Sequence, residues 1–209
     1  MASRSSIGRR GVALVIAGPS GVGKSAITQA LLAAEPATMR SVSATTRPPR
    51  AGEIQGVHYH FHDLAAFEQL AAGNELLEWA EVFDHRYGSP RAPVLAALEA
   101  GRDVLFDIDW QGHRRLRSAL AGDVVGVFVL PASHSVLGER LAERGDPPAR
   151  VARRMAGAAE QISHWREFDY VLVNHDLDAA IGMMRAILAS ARLATPRQTG
   201  LERFVAALG

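Results

Sequence analysis

Residues 18–25 have the types and spacing of a loop that holds a polyphosphate. They read GPSGVGKS and match the pattern G-x-x-x-x-G-K-[ST], between a short apolar run and a helical pattern. Glycines let successive backbone N–H groups turn toward a phosphate, and the helix that follows adds partial positive charge. A glycine-rich turn without a ligand is the alternative, but the flanking patterns favour a nucleotide-binding P-loop. Its predicted ligand residues are Gly18, Pro19, Ser20, Gly21, Val22, Gly23, Lys24 and Ser25, with the Ser25 hydroxyl on Mg²⁺.

Lys24 is the only lysine of the chain, since the other 22 of its 23 basic residues are arginine. One lysine could have survived by chance. An ammonium is compact and flexible, whereas a guanidinium is planar and bulky, so the two are not interchangeable at a phosphate site. The position of Lys24 in the loop favours a requirement for the ammonium.

Two carboxylates follow an apolar run in the sequence VLFDID at residues 104–109. Side chains alternate along a strand, so Asp107 and Asp109 point to the same side, at the edge where ligands bind in open parallel sheets. Capping of the next helix is the alternative, and one of the two can do so. We expect at least one to help hold Mg²⁺ or a substrate.

The elements that must position these residues alternate between buried strands and helices. Apolar runs predict strands at 12–17, 104–108, 124–130 and 170–173. Helical patterns predict helices at 24–34, from Ser89–Pro90 to 101 with Ser89 as cap, and at 111–120, 135–144, 149–165 and 177–194. This alternation predicts an α/β fold, a parallel sheet with helices on both faces.

Residues 41–83 break the alternation and predict a small mixed sub-domain inserted into the core. The segment is rich in turn residues, then alternates in polarity over 57–62. Asp63 is suited to cap a short helix through residue 70, and residues 76–83 read as another strand. The tail after Arg192 has no pattern to which we assign a role.

Composition limits the remaining classes of function. The chain has 209 residues, is 48% hydrophobic and 22% charged, and has a net charge of +1, which gives no reason to expect a nucleic-acid or membrane surface. No apolar run reaches the length of a membrane span or of a signal peptide. The absence of cysteine excludes disulfides, thiolate metal sites and cysteine nucleophiles. We therefore expect a cytoplasmic protein.

Several motifs in a fixed order resemble the guanylate kinase family. They are SVSATTRPPRAGE at 41–53, GVHYHF at 56–61, FDHRYGS at 83–89, DIDWQG at 107–112 and VNHD at 173–176. With the P-loop, the resemblance covers most of the chain. It implies a P-loop NTPase-type fold in one domain, with a core at 11–40 and 100–195, a mixed α+β GMP-binding insertion at 41–97 and a helical lid at 138–156. It also implies transfer of the γ-phosphoryl of ATP, with Mg²⁺, to GMP and to dGMP.

Arg47 and Arg50 flank a rigid Pro-Pro pair that would hold two guanidinium forks apart. Tyr59 and Tyr87 carry neutral hydroxyl donors that can complete a shell around a phosphate. A solvated, arginine-rich loop is the alternative. The resemblance implies that these four residues hold the phosphate of GMP and that Arg47 is also catalytic.

Guanine presents two adjacent donors, N1–H and the 2-amino group, beside the acceptor O6. A carboxylate can accept from both donors, and on spacing alone Glu78 and Glu81 are equal candidates. The resemblance implies Glu78, with Ser43 donating to O6. It also places Ser89, Asp107 and Asp109 in the GMP site and Asn174 in the ATP site.

The segment around residues 138–156 resembles the mobile lid of the family. The resemblance implies that Arg140, Arg144 and Arg154 approach the transferring phosphoryl group, where negative charge must be balanced. The loop at 146–150 is shorter than is usual in the family and has two prolines, which leaves Arg153 as an alternative to Arg154. A second departure is Asp84-His-Arg86, where the family often has Gly-Asn-Tyr.

Three histidines and two rival functions complete the sequence-based predictions. His58, His60 and His62 have spacing that allows zinc binding on one strand face, but no base or second cluster completes a catalytic set, so we expect surface histidines. The rival functions are a P-loop kinase for a phosphorylated sugar and a non-catalytic guanylate-kinase-like binding module. The first would not need a guanine-reading pair, and the second would not need Lys24 with the arginines.

Overall fold

The structure is a computed structural model that describes residues 7–82, 84–143 and 147–208, with only the backbone at residue 82. The strands described are β1 (Gly8–Arg9), β2 (Ala13–Ala17), β3 (Thr38–Arg40), β4 (Ala44–Thr45), β5 (His60–Phe61), β6 (Leu76–Val82), β7 (His85–Pro90), β8 (Asp103–Asp107), β9 (Val124–Pro131), β10 (Tyr170–Asn174) and β11 (Gln198–Thr199).

The α-helices described are α1 (Lys24–Ala34), α2 (Leu64–Ala72), α3 (Arg91–Glu99), α4 (Trp110–Ala119), α5 (His134–Glu143), α6 (Pro148–Ser163), α7 (Leu177–Leu193) and α8 (Leu201–Ala206). Short 3-10 turns lie at Trp165–Glu167 and Thr195–Arg197. None of the helices within these described ranges is long and apolar enough to cross a bilayer.

The central sheet has five parallel strands in the order β10-β9-β2-β8-β3. Strand β2 lies in the middle, and all five of its residues are fully buried, as expected for a strand covered on both faces. Leu14 and Ile16 pack with residues of α1, α5 and α7, whereas Val15 packs with residues of α3 and α4 on the other face. The predicted α/β fold is therefore confirmed.

A second, mixed sheet of four strands has the order β5-β4-β7-β6. Helix α2 packs on it through the buried Phe67, and the carboxylate of Asp63 accepts from the N–H of Ala66 at 2.7 Å, as predicted for a cap. The strand predicted over 57–62 is limited to β5, because residues 56–58 form a turn. These strands lie within the predicted 41–97 insertion, whose boundaries stay a prediction.

The helix predicted to begin near Ser89–Pro90 is present and begins at Arg91, but the predicted cap at Ser89 is wrong. Strand β7 continues through Pro90, and no side chain caps α3. The Ser89 hydroxyl donates to a Glu78 carboxylate oxygen at 2.7 Å, so it has a partner on the neighbouring strand. Ser89, which the local sequence predicts as a helix cap, is therefore part of β7 and is buried in its pairing with β6.

The C-terminal tail, to which the sequence assigned no role, is anchored beneath the central sheet. Strand β11 pairs with β1, and Arg197 is only 6% exposed. Its guanidinium donates to the carbonyl oxygens of Gly11, Gly122 and Asp123 at 3.0 Å each. The tail therefore supports the start of β2 at the end of the sheet away from the P-loop.

Candidate active site

A cleft of about 390 Å³ lies between the carboxyl ends of the parallel strands and the second sheet. The structure brings nine of the predicted site residues to its wall: Gly18, Ser20, Lys24, Ser43, Tyr59, Glu78, Tyr87, Asp107 and Asp109. The other predicted residues within the described ranges do not line the cleft: Pro19, Gly21, Val22, Gly23, Ser25, Arg47, Arg50, Ser89, Arg140, Arg154 and Asn174. Arg144 lies outside the described residues.

The P-loop connects β2 to α1 and depends on its glycines. Gly18, Gly21 and Gly23 have φ values of 141°, 97° and 98°, a region that side chains make costly. A Cβ at Gly18 would overlap the carbonyl oxygen of Val129, so the loop also packs too closely for a larger residue. The Lys24 ammonium donates to the carbonyl oxygens of Gly18 at 2.8 Å and Pro19 at 3.2 Å, which holds it along the loop.

Asn174 lies behind the P-loop and is 1% exposed. Its amide Nδ2 donates to the carbonyl oxygen of Val22 at 2.7 Å, and a Cβ at Gly23 would lie 2.6 Å from the same Nδ2. Its contact in the structure is with the loop backbone, so it fixes the shape of the loop from the side away from the cleft. Direct contact of Asn174 with ATP stays a prediction.

Glu78 is a nearly buried carboxylate in the cleft wall, with 7% exposure, whereas Glu81 on the opposite side of β6 is exposed. Oε1 of Glu78 accepts from Ser89, and Oε2 lies beside Gly112, where an added Cβ would be 3.4 Å away. Burial raises the pKa of Glu78, and the nearby Asp109 raises it further, against the lowering effect of the Ser89 hydrogen bond. A ligand with two adjacent donors would relieve this desolvated charge.

Asp107 and Asp109 both line the cleft but have different local contacts. Asp107 ends β8 and pairs in register with Ile16, two residues before the P-loop. Asp109 is the N-cap of α4, with Oδ1 accepting from the Gly112 N–H at 2.8 Å. The capping role left open by the sequence therefore belongs to Asp109, whereas Asp107 pairs with the strand that leads into the phosphate loop.

Arg47 does not line the cleft itself but packs against Tyr59, which does. Its Nη2 donates to Oε1 of Glu53 at 2.8 Å, and its guanidinium carbon lies 5.3 Å from the Tyr59 ring centroid. The ring centroids of Tyr59 and Tyr87 are 6.0 Å apart, so the three predicted phosphate ligands are neighbours. The side chain of Arg50 is exposed, and its backbone N–H donates to Oε2 of Glu53 at 2.7 Å.

Glu53 is a residue that sequence reasoning missed, because it was noted only as part of a motif. Its two carboxylate oxygens accept hydrogen bonds from the two predicted phosphate-binding arginines: one from the Arg47 side chain and one from the Arg50 backbone N–H. The hydrogen bond from Arg47 is the largest cause that lowers the pKa of Glu53 to about 2. A carboxylate three to six residues from two arginines was the available signal.

Four further polar residues line the cleft, and of these only His58 was considered from the sequence, where we expected a surface histidine. Arg40 and Ser41 reach the cleft because the edge strand β3 ends there, and the Ser41 N–H donates to the Leu105 carbonyl at 2.9 Å. His58 lies in the turn before β5, and Gln161 lies on α6.

His58 is exposed and lines the cleft, whereas His60 and His62 are half-buried beside a separate cavity. The three histidines therefore do not share one face, and the strand geometry predicted for them is wrong. His58 belongs to the turn at residues 56–58, which begins at Gly56 with φ of 75°, so it precedes the strand.

The predicted lid arginines that the structure describes lie on α5 and α6, and α6 also contributes Gln161 to the cleft. Arg140 is half-buried on α5, and Arg154 is half-buried on α6, whereas Arg153 is exposed. Burial thus favours Arg154 as the inward-facing residue of the pair. The lid boundaries predicted at 138–156 stay a prediction.

The chain is similar in sequence to known guanylate kinases over nearly its whole length. The guanylate kinase family model matches residues 10–191. A guanylate kinase of Gluconobacter oxydans is 59% identical over 199 residues, covering 95% of this chain and 96% of that protein. One of Granulibacter bethesdensis is 55% identical over 202 residues, covering 97% and 95%.

A solved structure agrees with these sequence relatives. The crystal structure of guanylate kinase from Anaplasma phagocytophilum superposes with a TM-score of 0.77 at 33% identity and covers 96% of each chain. The P-loop, the buried carboxylate and the arginine–tyrosine group thus occur in a chain whose sequence and fold both match one family. This protein belongs to the guanylate kinase family.

Proposed function

We propose that the protein transfers the γ-phosphoryl group of ATP to GMP, giving ADP and GDP. The observation that carries the proposal is one cleft with a P-loop on one wall and the buried carboxylate of Glu78 on another. The first wall suits a polyphosphate, and the second suits a base with two adjacent donors. Family membership supports the same assignment.

The base of GMP would lie against Glu78. Its N1–H and 2-amino groups donate to the carboxylate, and the Ser43 hydroxyl donates to O6. Ser89 is buried and bonded to Oε1 of Glu78, so we assign it the orientation of the carboxylate. Asp109 joins the base site from the N-terminus of α4. These contacts favour guanine because adenine has an acceptor at N1, which would face the carboxylate lone pairs.

The phosphate of GMP would lie between the two tyrosines and the two arginines. Arg47 already lies against the Tyr59 ring, so a small shift brings its remaining N–H donors to a phosphate beside the Tyr59 and Tyr87 hydroxyls. Arg50 is exposed on the same loop and joins from outside. We infer that these four groups hold the acceptor oxygen in line with the γ-phosphorus.

ATP would bind with its phosphates in the P-loop. Backbone N–H groups of the loop, from the residues other than Pro19, would surround the phosphate oxygens, and Lys24 would exchange its carbonyl partners for the β and γ oxygens. The oxygen atoms available here fit Mg²⁺. Ser25 lies in the first turn of α1, Asp107 is the last residue of the neighbouring β8, and both side chains supply the hard oxygen ligands that Mg²⁺ prefers. Bound there, Mg²⁺ would neutralise charge on the β and γ phosphates.

The reaction needs no covalent protein intermediate. The bond from the γ-phosphorus to the bridging oxygen of ADP breaks as a bond to a phosphate oxygen of GMP forms. Lys24, Arg47, Arg140 and Arg154 would balance the negative charge in this step, with Arg144 as a further predicted contributor beyond the described residues.

A coupled assay of ATP consumption across a panel of acceptors tests the proposal. The panel contains GMP, dGMP, AMP, CMP, UMP and a hexose phosphate, and chromatography identifies the products. We expect GDP and ADP in equal amounts from GMP, turnover of dGMP, and little product from the others. Preferred turnover of the hexose phosphate, or binding of nucleotides without transfer, would contradict the proposal.

A further inference from the structure

Helices α4 and α6 meet at a stack of two rings. The rings of Trp110 and His164 are nearly parallel, with 13° between their planes and 3.5 Å between their centroids. Trp110 is the first residue of α4, and His164 is the C-cap of α6. The guanidinium carbon of Arg114, one turn along α4, lies 4.6 Å from the Trp110 ring centroid. The contact therefore joins the beginning of one helix to the end of the other.

A charged cluster reinforces this stack from the side. Glu167 accepts two hydrogen bonds from Arg114, at 2.6 Å each, and one from Nδ1–H of His164 at 2.7 Å. The Arg114 guanidinium, followed by His164, holds the pKa of Glu167 down to about 2. Glu167 thus links the same two helices that the stack joins.

On the α4 side, the Trp110–His164 stack is one residue from the proposed base site. Trp110 follows Asp109, which lines the cleft and caps α4 through the Gly112 N–H. Gly112 in turn lies beside Oε2 of Glu78. Any adjustment of Asp109 or Gly112 when a base binds at Glu78 must therefore move or restrain Trp110, because the three residues form the first turn of one helix.

On the α6 side, the Trp110–His164 stack lies at the C-terminal end of a helix that contributes Gln161 to the cleft. Gln161 lines the cleft one turn before His164, and Arg154 lies further along the same helix. Ala158 is the only fully buried residue of α6, whose described residues are otherwise half-buried or exposed. Val151 and Met155 also pack against the core from α6, so the contacts at its C-terminal end add to this packing in setting the direction of the helix.

We propose that Trp110 and His164 are positioning residues whose stack couples guanine binding at Glu78 and Asp109 to the placement of the arginine-bearing helix α6. The inference rests on the proposed function, since it takes the base site and the arginine helix as parts of one reaction. Neither residue touches a reacting atom. Their effect is on the free energy of coupling between the two substrates, which is a measurable quantity.

The test is calorimetric titration of GMP in the absence and presence of a non-hydrolysable ATP analogue with Mg²⁺. We expect the analogue to tighten GMP binding by about tenfold, within the usual range for coupled sites. Trp110→Leu and His164→Ala should reduce this factor to less than about threefold, while the affinity for GMP alone changes by less than about threefold. The kcat should fall with little change in the KM for GMP.

Matched variants separate the stack from general disruption. Trp165→Leu removes a neighbouring exposed tryptophan whose ring lies 4.5 Å from the Arg166 guanidinium carbon, and it should keep the wild-type coupling factor. His164→Phe keeps an aromatic ring but loses the hydrogen bond to Glu167, and it should restore most of the coupling lost in His164→Ala. If Trp110→Leu does not fold, the His164 pair decides the question, since that side chain is 20% exposed.

The outcomes distinguish the inference from the proposed function. Failure of the wild type to bind GMP would contradict the proposed function. Normal binding of both nucleotides with equal coupling in the wild type, Trp110→Leu and His164→Ala would overturn the inference alone, as would a wild type without coupling. Loss of GMP affinity at unchanged coupling would assign the stack a structural role and also overturn it.

Discussion

In the phosphate loop, the groups offered to a ligand are mainly backbone N–H groups, and the only charged side chain is that of Lys24. Lys24 donates to the carbonyl oxygens of Gly18 and Pro19. In the acceptor half, the groups around the cleft are side chains: Tyr59 and Glu78 line it, and Arg47 lies against the Tyr59 ring. Arg47 is bonded to the carboxylate of Glu53, which is itself an ion.

The acceptor half also holds a charge that the protein itself penalises. Burial raises the pKa of Glu78, so its ionised form is less stable in the fold than in water. We therefore expect the P-loop to bind mainly by backbone geometry already in place, and the acceptor half to bind when a ligand replaces or completes existing side-chain partners. Selectivity is therefore expected from the acceptor half and phosphate affinity from the loop.

The largest expected effect tests the charge in the loop. Lys24→Arg should keep the fold and lower kcat by about 10²–10³-fold, because the guanidinium is too bulky to follow the migrating charge. The KM for GMP should change much less. Steady-state kinetics with circular dichroism as a folding control measures both. A variant with near-normal kcat would show that any cation suffices at this position.

The second prediction concerns the ion pair in the acceptor half. Glu53→Gln should raise the KM for GMP about tenfold with a smaller effect on kcat, since the loop loses a charge-assisted hydrogen bond that orients Arg47. The exposed Glu81→Gln is the matched control. A lower KM for GMP would contradict this prediction. It would mean that Glu53 competes with the phosphate of GMP for Arg47, and does not orient Arg47 for binding.

A smaller effect is expected at Arg40, where the two halves meet. Its side chain is exposed at the cleft, and its guanidinium has no hydrogen bond or ion pair with any of the residues that the structure describes. Arg40→Gln should lower kcat/KM for GMP about three- to fivefold at low salt, and less as ionic strength rises. Arg102→Gln, exposed at the opposite end of the neighbouring strand, should have no effect.

The smallest predicted effect is on stability and has a defined pH dependence. Because the pKa of Glu78 is raised in the folded state, its contribution is complete below the unfolded value of 4.5 and is lost as pH rises through the folded pKa. Glu78→Gln cannot ionise, so it should be more stable than the wild type by on the order of 1 kcal/mol at pH 8 and by less at pH 5. Urea unfolding measures the difference.

Two results would contradict this stability prediction. One is a Glu78→Gln variant less stable than the wild type at pH 8, which would mean that the protein favours the ionised carboxylate. The other is an equal gain in the exposed Glu81→Gln, which would make the effect one of surface charge.

The parts of the fold that sequence predicted are those determined by local pattern. Helix α1 was predicted with its observed bounds, and β2 was predicted one residue too long, because a buried parallel strand and a P-loop are both continuous in sequence. Glu78, the proposed base-site carboxylate, was not separable from Glu81 by spacing, and their different burial appears only once β6 pairs with β7.

The parts that sequence could not predict depend on contacts between distant segments. Ser89 has the local pattern of a helix cap but donates to Glu78, eleven residues away on the next strand. Strand β3 is a short edge strand without an apolar run, so nothing in its own sequence shows that Arg40 ends at the cleft. The support of β2 by Arg197 spans most of the chain and has no local signature.

The most direct test of the account is base discrimination, measured as the ratio of kcat/KM for GMP to that for AMP. The wild type should favour GMP by about 10³-fold or more, as expected for a site that reads a base through buried polar pairing. Glu78→Gln should lose most of this ratio while the KM for ATP stays nearly unchanged, and Glu81→Gln should keep it. Equal use of AMP by the wild type, or loss of discrimination in Glu81→Gln instead of Glu78→Gln, would contradict the assignment of Glu78.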